Sequence, residues 1–313
     1  MRVESDHSST VIEAYLKALK RRRYSPKTIA TYRHPLELFA AFLAARSASR
    51  LQDVGRDDLA AWRLELVESD LADATVEVFL RAVRNLFNWM EAEGMLFDNP
   101  SAALKTPKYE RKLLPVPDEA ELRRLLAQPS VATPVGIRDR AIMEVGYCCA
   151  LRREELARLA LRDPDFLQRS LRVLGKGSRE RMLPLGEEAC AWLRRYCDDA
   201  RPALLGRLSA SNAQADSADA AVDALWISAR GTPFNGQGIS VMLKKHGRQA
   251  KLSVNITPHS LRRACATHML RNGAHPVQIQ MLLGHATMRH LAQYLRLTIR
   301  EIREMHSQSR PGQ

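Results

Sequence analysis

The sequence predicts a mainly α-helical protein of two domains, the first all-helical and the second mostly helical with a small antiparallel β-hairpin. Three observations predict it. At 313 residues the chain exceeds the roughly 100–150 residues usual for one hydrophobic core, so two cores are expected. Apolar residues recur at three- and four-residue spacing along most of the chain, the period of a helix with one buried face. The clearest β-prone runs flank Gly175-Lys176-Gly177-Ser178, a turn-forming tip.

In the first hundred residues, Val11, Tyr15 and Leu19 recur every four positions as the stripe of a first helix. Ser25-Pro26 supplies an N-cap hydroxyl and a proline at the first helical position, ahead of Ile29, Tyr32, Leu36, Phe39 and Leu43 at helical spacing. Pro35 is expected to start, kink or interrupt this second helix, because it lacks an N–H and its ring crowds the preceding turn. Asp57-Asp58 put carboxylates at the start of a third helix, where the macrodipole favours them. A fourth runs from about Asp73 through Phe79, Val83, Leu86, Phe87 and Met90 to a stop at Gly94. The periodicity of its aromatic stripe assigns those rings to a core rather than to a base-stacking surface.

From about Asn99 to Pro117 the text is NPSAALKTPKYERKLLPVP, rich in proline and lysine and without sustained period. A linker is placed here, at residues 105–116, between a helical domain of residues 1–104 and a second domain of residues 117–313. In the second domain PDEAELRRLLA reads as a surface helix and GIRDRAIMEVGYCCA as a central buried one. SLRVLGKGSRERMLPL reads as a hairpin with Lys176 at its tip. Residues 206–224 are Ala/Ser/Asp-rich and are expected to form a mobile surface insertion without a function. Helices resume from about Gly236 to Lys251 and continue nearly to the end, where Leu295, Ile299 and Ile302 make an apolar stripe too short to fold alone.

Composition narrows the function. Apolar residues at 45% and charged residues at 27% are an ordinary globular mix, which excludes wholesale disorder and a fibrous protein. No run approaches the roughly 18 apolar residues of a membrane span, and MRVESDHSS is polar where a signal peptide needs an apolar run. A cytoplasmic protein without membrane contact is expected. Five cysteines, with Cys148 and Cys149 adjacent and no CxxC pair, suit neither a disulfide framework nor a zinc module. Reduced, mostly buried thiols are expected.

Charge is the informative quantity: 48 basic residues against 35 acidic give +13 and point to a polyanionic partner. Up to Lys108 there are 16 basic and 15 acidic side chains, so the second part carries most of the excess. In the first part Lys17, Lys20, Arg21, Arg22, Arg23 and Lys27 fall together, while the acids gather after Asp53. That asymmetry predicts one basic face, and a solvated helix end explains the run by itself equally well.

Five segments of the second part carry candidate chemistry, and each is weak alone. Arg152, in CCALRREEL, sits at a helix start where amides and guanidinium can face one anion, although isolated arginines are mostly surface residues. His259 and Arg262, in PHSLRR, are three apart and share a helix face. His285, in LLGHATMRHLAQY, follows a helix-ending glycine, and Tyr294 lies nine residues on. A lone histidine is usually structural, a lone tyrosine usually core, and a hairpin-tip lysine such as Lys176 usually solubilising.

Taken in order, the arginine, hairpin lysine, HxLR, LGH and tyrosine resemble the tyrosine recombinase (phage-type integrase) family, and within it the Xer-like and transposon-borne members. The resemblance spans almost the whole chain, with the GKGxxxR and LLGHA phrases intact. It implies a SAM-like core-binding domain and a catalytic domain forming a C-shaped clamp on DNA. The implied catalytic set is Arg152, Lys176, His259, Arg262, His285 and the nucleophile Tyr294, with Glu155 as an orienting carboxylate behind the arginines. The resemblance also implies a bacterial enzyme of DNA recombination or integration, including mobile elements. It would act as a dimer per site and a tetrameric synapse on duplex DNA with paired half-sites, with a related recombinase or accessory proteins as further partners. The basic run above, with Lys105, Lys108, Arg111 and Lys112 of the linker, supplies candidate DNA contacts. Ala150 stands where the family has glycine, Arg263 where it has histidine, and His290-Leu291 where it has a threonine pair. None of these departures removes a catalytic group, but they leave the subgroup open.

The residue types suit phosphodiester transesterification. Attack on phosphorus builds charge on two non-bridging oxygens, and two arginines with His285 answer it with fixed, non-titrating donors. Such a clamp can stand in for a metal ion, and a phosphotyrosyl bond keeps the phosphodiester energy, so neither metal nor ATP is expected. His259 is the candidate acceptor of the tyrosine proton and Lys176 the candidate donor to the leaving 5′ oxygen. A type IB topoisomerase, which nicks and reseals with similar chemistry, and a catalytically idle DNA-binding relative are the alternatives. A metal-dependent nuclease fits poorly, because no DxD or ExK cluster adjoins the motifs and His259, His268, His285 and His290 lack zinc-site spacing.

Overall fold

The computed structural model describes residues 4–46, 50–104, 115–175, 180–209 and 221–284. By its contacts the chain divides between residues 112 and 113 into two compact units.

The first unit holds α1 (Glu4–Arg21), α2 (Pro26–Ala45), α3 (Arg56–Glu68) and α4 (Asp73–Ala92). Ser25 caps α2 by accepting the Thr28 N–H at 3.1 Å, and the Asp58 carboxylate accepts the Gly55 N–H at 2.9 Å at the start of α3. Gly94, at φ +71°, follows α4 in a left-handed conformation that suits glycine. Of the expected start, kink or interruption, neither a start nor an interruption occurs: α2 runs through Pro35 as one helix. A proline inside a helix costs about 3 kcal/mol, but Leu36, Phe39 and Leu43 on its far side are almost fully buried. Each contributes roughly 1.5–3 kcal/mol on burial, so core packing outweighs the lost bond. Phe39 sits among the rings of Trp62 (5.5 Å) and Phe87 (6.2 Å), which makes the aromatic stripe a core.

In the second unit α5 (Glu119–Leu126) begins with a reciprocal cap, Glu121 N–H to Asp118 at 2.7 Å and Asp118 N–H to Glu121 at 3.1 Å. The central helix α6 (Pro134–Cys148) is buried almost continuously from Gly136 to Gly146 and packs against α8 (Glu187–Arg195) and α11 (Pro258–Arg271). Between them lie α7 (Arg153–Ala157) and an antiparallel sheet in which β1 (Pro164–Asp165), β2 (Ser170–Leu174) and β3 (Glu180–Pro184) follow in order. The expected hairpin is therefore the β2–β3 pair of a three-stranded sheet, and β1 is too short to show a period in sequence. In the register, Leu171 faces Leu183 and Val173 faces Arg181, so an arginine shares the inward face with three buried aliphatic residues.

Two helices lie where no element was expected, α8 and α9 (Arg201–Ser209), separated by one π-helical turn over Tyr196–Ala200. The segment expected to be a mobile insertion is anchored at both described flanks. Residues up to Ser209 are helical, and Ala221 and Leu225 are buried. The Arg201 guanidinium holds that far flank, donating to the carbonyls of Val222 and Ala224, each at 2.7 Å. Residues 210–220 lie outside the described set. The unit continues with α10 (Gly236–Gln249), α11 and α12 (Pro276–Leu283). Among the described residues no helix is long and apolar enough to cross a membrane. All five cysteines are free, with Cys149, Cys190 and Cys265 buried.

Candidate active site

Arg152 is the N-cap of α7, two residues after Ala150, whose φ of +48° is a left-handed turn at a buried non-glycine position. That turn reverses the chain after α6 and delivers Arg152 to a cleft of about 710 Å³, also lined by Glu155, His259, Lys244, Arg158 and Gly175. Three residues into α7, Glu155 turns back on the cap. Its carboxylate accepts the Arg152 backbone N–H at 2.9 Å and the Arg152 Nη1 at 2.8 Å.

Two more arginines converge on the same carboxylate from distant sequence. Arg181, from the inward face of β3, donates Nη1 to Glu155 Oε1 at 3.1 Å and Nη2 to Oε2 at 2.9 Å. Arg262, from α11, approaches Oε2 at 4.0 Å. Arg262 is only 1% exposed, and its Nη1 and Nη2 donate to the carbonyls of Ala150 and Leu283, each at 2.6 Å, which fixes the guanidinium plane between the Ala150 turn and the end of α12. Burial alone would raise the Glu155 pKa. Hydrogen bonds from Arg181 and from the Arg152 backbone, with the charge of Arg181, outweigh it and hold the carboxyl down at about 2.

His259 lies in the first turn of α11, behind the Thr257 cap, and opens to the cleft. Partial burial first, then the cations Arg263, Arg262 and Arg152, push its pKa below the ordinary value, so its neutral form prevails at pH 7. Sequence spacing put His259 and Arg262 on one helix face; the fold exposes the first and buries the second. Lys176, His285 and Tyr294 lie outside the described residues, as do Lys105, Lys108, Arg111 and Lys112. Their flanks are described: Gly175 lines the cleft, and Gly284 ends α12 with φ +60°. In the first unit Lys17, Lys20, Arg21, Arg22, Arg23 and Lys27 are all exposed around the end of α1 and the start of α2.

Sequence reasoning did not single out Arg181, Lys244 or Arg158. Arg181 was visible as the last letter of the GKGxxxR phrase, but its inward direction follows from strand register.

A second ionic cluster lies outside the cleft lining. Arg138 donates Nε and Nη2 to Asp139 at 3.0 and 2.7 Å and Nη1 to the Ile227 carbonyl at 3.0 Å, with its guanidinium 4.1 Å from the centre of the Phe234 ring. His246 Nε2 meets the other Asp139 oxygen at 3.0 Å.

A helical unit joined to a mixed unit that gathers arginines beside an open cleft defines a class of protein suited to gripping an anionic backbone. Comparison with known proteins gives the class its family. Residues 116–301 match the phage integrase family and residues 12–94 the phage integrase N-terminal SAM-like domain. The chain is 35% identical over 305 residues to tyrosine recombinase XerD of Pseudomonas aeruginosa, covering 96% of this chain and 97% of that one. It is 36% identical over 306 residues to XerD of Pseudomonas putida, again covering 96% and 97%. Among solved structures, a lambda integrase(75–356) dimer bound to a COC′ core site aligns with a TM-score of 0.69 at 18% identity, over 91% of this chain and 94% of that one. The chain belongs to the phage integrase family, and it is a tyrosine recombinase of the Xer-like kind.

Proposed function

We propose that the protein is a site-specific DNA recombinase that cuts and rejoins strands through a 3′-phosphotyrosyl intermediate, with residues 117–313 catalytic, residues 1–104 binding DNA and residues 105–116 linking them. The observation that carries the reading is the convergence of Arg152 and Arg262, 110 positions apart in sequence, on one carboxylate at the edge of a cleft that His259 also lines.

In this reading Tyr294 attacks the scissile phosphorus, and its proton passes to neutral His259. Charge developing on the non-bridging oxygens is met by Arg152 and Arg262, with His285 as a further donor. The P–O5′ bond breaks as Lys176 protonates the leaving oxygen, and reversal with a different 5′ hydroxyl rejoins the strand without ATP or metal. Glu155 orients the arginines. The exposed cations of the first unit, together with the lysines and arginine of the linker, contact phosphates and supply most of the affinity. Paired half-sites, a dimer per site and a tetrameric synapse are part of the proposal. The family assignment supports them, and solved integrases of this fold include a dimer on a core site and a tetramer on a Holliday junction.

The test begins by selecting the bound half-site from a random-sequence duplex pool. On a nicked duplex carrying that half-site, the wild type should form a covalent protein–DNA product in excess EDTA. Tyr294→Phe should form none while binding within a few fold of wild type; covalent product from that variant would sink the proposal.

A further inference from the structure

Arg181 is absent from the catalytic set above, yet it is built into the site through both oxygens of Glu155. Its position on β3 opposite Val173 turns it toward the core, and its side chain is 17% exposed against 6% for its partner Glu155. It fills the carboxylate fork, bonding both Glu155 oxygens. It also lies against the end of α12, where a Cβ on residue 284 would stand 3.2 Å from Arg181 Nε and 3.3 Å from Cζ. Glycine is thus favoured at 284 twice, by that close approach and by its φ of +60°. One guanidinium therefore meets the carboxylate behind Arg152 and the residue preceding His285, and it belongs to the hairpin that carries Lys176 five positions earlier.

The geometry shows what would follow without it. A carboxylate fork matches a guanidinium fork, and an unoccupied Glu155 would bind Arg152 in the same two-pronged way. With Arg181 in the fork, Arg152 gives Glu155 a single side-chain bond from Nη1. Among the described residues its Nε and Nη2 have no hydrogen-bond partner, and the side chain is 42% exposed to the cleft. We propose that Arg181 is a positioning residue for strand cleavage: it occupies Glu155 so that Arg152 keeps its other donors for the scissile phosphate. The inference rests on the assignment of Arg152 to that phosphate.

The experiment measures single-turnover covalent-complex formation on the nicked half-site duplex at saturating protein, together with half-site affinity and thermal midpoint. The full-length variants are Arg181→Gln, Arg181→Lys, Arg152→Ala and the double variant Arg152→Ala/Arg181→Gln. Arg181→Gln should slow the reaction about 30- to 100-fold, the scale of a catalytic group displaced by about 1 Å, with affinity within about 3-fold. Arg181→Lys keeps the charge but loses the fork, and it should stay at least about 10-fold slow. Against Arg152→Ala, Arg181→Gln should add less than about 3-fold, because it acts through Arg152. A near-wild-type rate in either single Arg181 variant, or the full factor persisting in the double variant, overturns the proposal. If Arg181→Gln fails to fold, Arg181→Lys alone and combined with Arg152→Ala gives the same comparison. Near-normal cleavage by Arg152→Ala would instead overturn the site assignment, a result separate from the behaviour of Arg181.

Discussion

Around Glu155 one carboxylate meets three guanidiniums, whereas around Asp139 one carboxylate meets one guanidinium and one imidazole. Both clusters are anchored on the helices that follow the linker, and both bury their acid. They differ in how completely they close. Arg138 is 5% exposed, with each of its three nitrogens engaged and its guanidinium over Phe234, so this cluster presents no guanidinium to solvent. The Glu155 cluster carries two cations in excess and presents one of them to solvent. Uncompensated charge near a core is unfavourable unless something binds it. A closed cluster staples a fold, whereas an open one with excess guanidinium charge has the chemistry to meet an anion.

The largest expected effect separates the clusters by activity. Arg152→Ala and Arg262→Ala should each lose at least about 100-fold in cleavage, while Arg138→Ala, assayed where it remains folded, should stay within about 3-fold. A cleavage defect of equal size from Arg138→Ala would erase the distinction. By stability the order reverses. Asp139→Asn strands Arg138 in the interior and should cost about 3 kcal/mol in denaturant unfolding, with single-turnover cleavage unchanged at permissive temperature.

The clusters should also part under acid. Because the folded pKa of Glu155 is depressed to about 2 from an ordinary 4.5, its contribution to stability is present above pH 4.5 and is lost as pH falls toward 2. That contribution amounts to about 3 kcal/mol. Unfolding curves between pH 5 and pH 2 should show this loss, and Glu155→Gln should flatten it. A milder dependence is expected of catalysis. His259 is held below its ordinary 6.5, so cleavage should be level at pH 7–8 and decline only under more acidic conditions, as the imidazole gains its proton. A decline beginning above pH 7 would remove His259 as the proton acceptor.

The smallest effect belongs to a neutral contact. Tyr147 and His268 Nδ1 are 3.0 Å apart, while His268 Nε2 donates to the Pro117 carbonyl at 3.0 Å. Tyr147→Phe should cost only about 1 kcal/mol, the net worth of one hydrogen bond, and leave cleavage unchanged.

Much of the molecule was legible because its signals are local. Ser25-Pro26 starts a helix, Gly94 follows another, and Leu36, Phe39 and Leu43 mark a buried face, since caps and periodicity act within a few residues. The same locality misled at Pro35, where the penalty is visible in sequence and the packing that offsets it is not. It also passed over α8 and α9, whose buried Leu193 and Leu204 are separated by charged residues and a π-helical turn.

By itself the sequence named the groups proposed for the chemistry: ordered motifs point to Arg152, Lys176, His259, Arg262, His285 and Tyr294, because reactivity belongs to side-chain type. Only the tertiary structure decided how Arg152, His259 and Arg262 are held. That Glu155 takes Arg181 in its fork, that Arg262 is buried between two carbonyls while His259 stays open, and that Gly284 leaves room for a guanidinium depend on strand register and helix packing. Those join positions 21 to 112 residues apart, and no short-range pattern along a chain encodes the direction in which two such side chains meet.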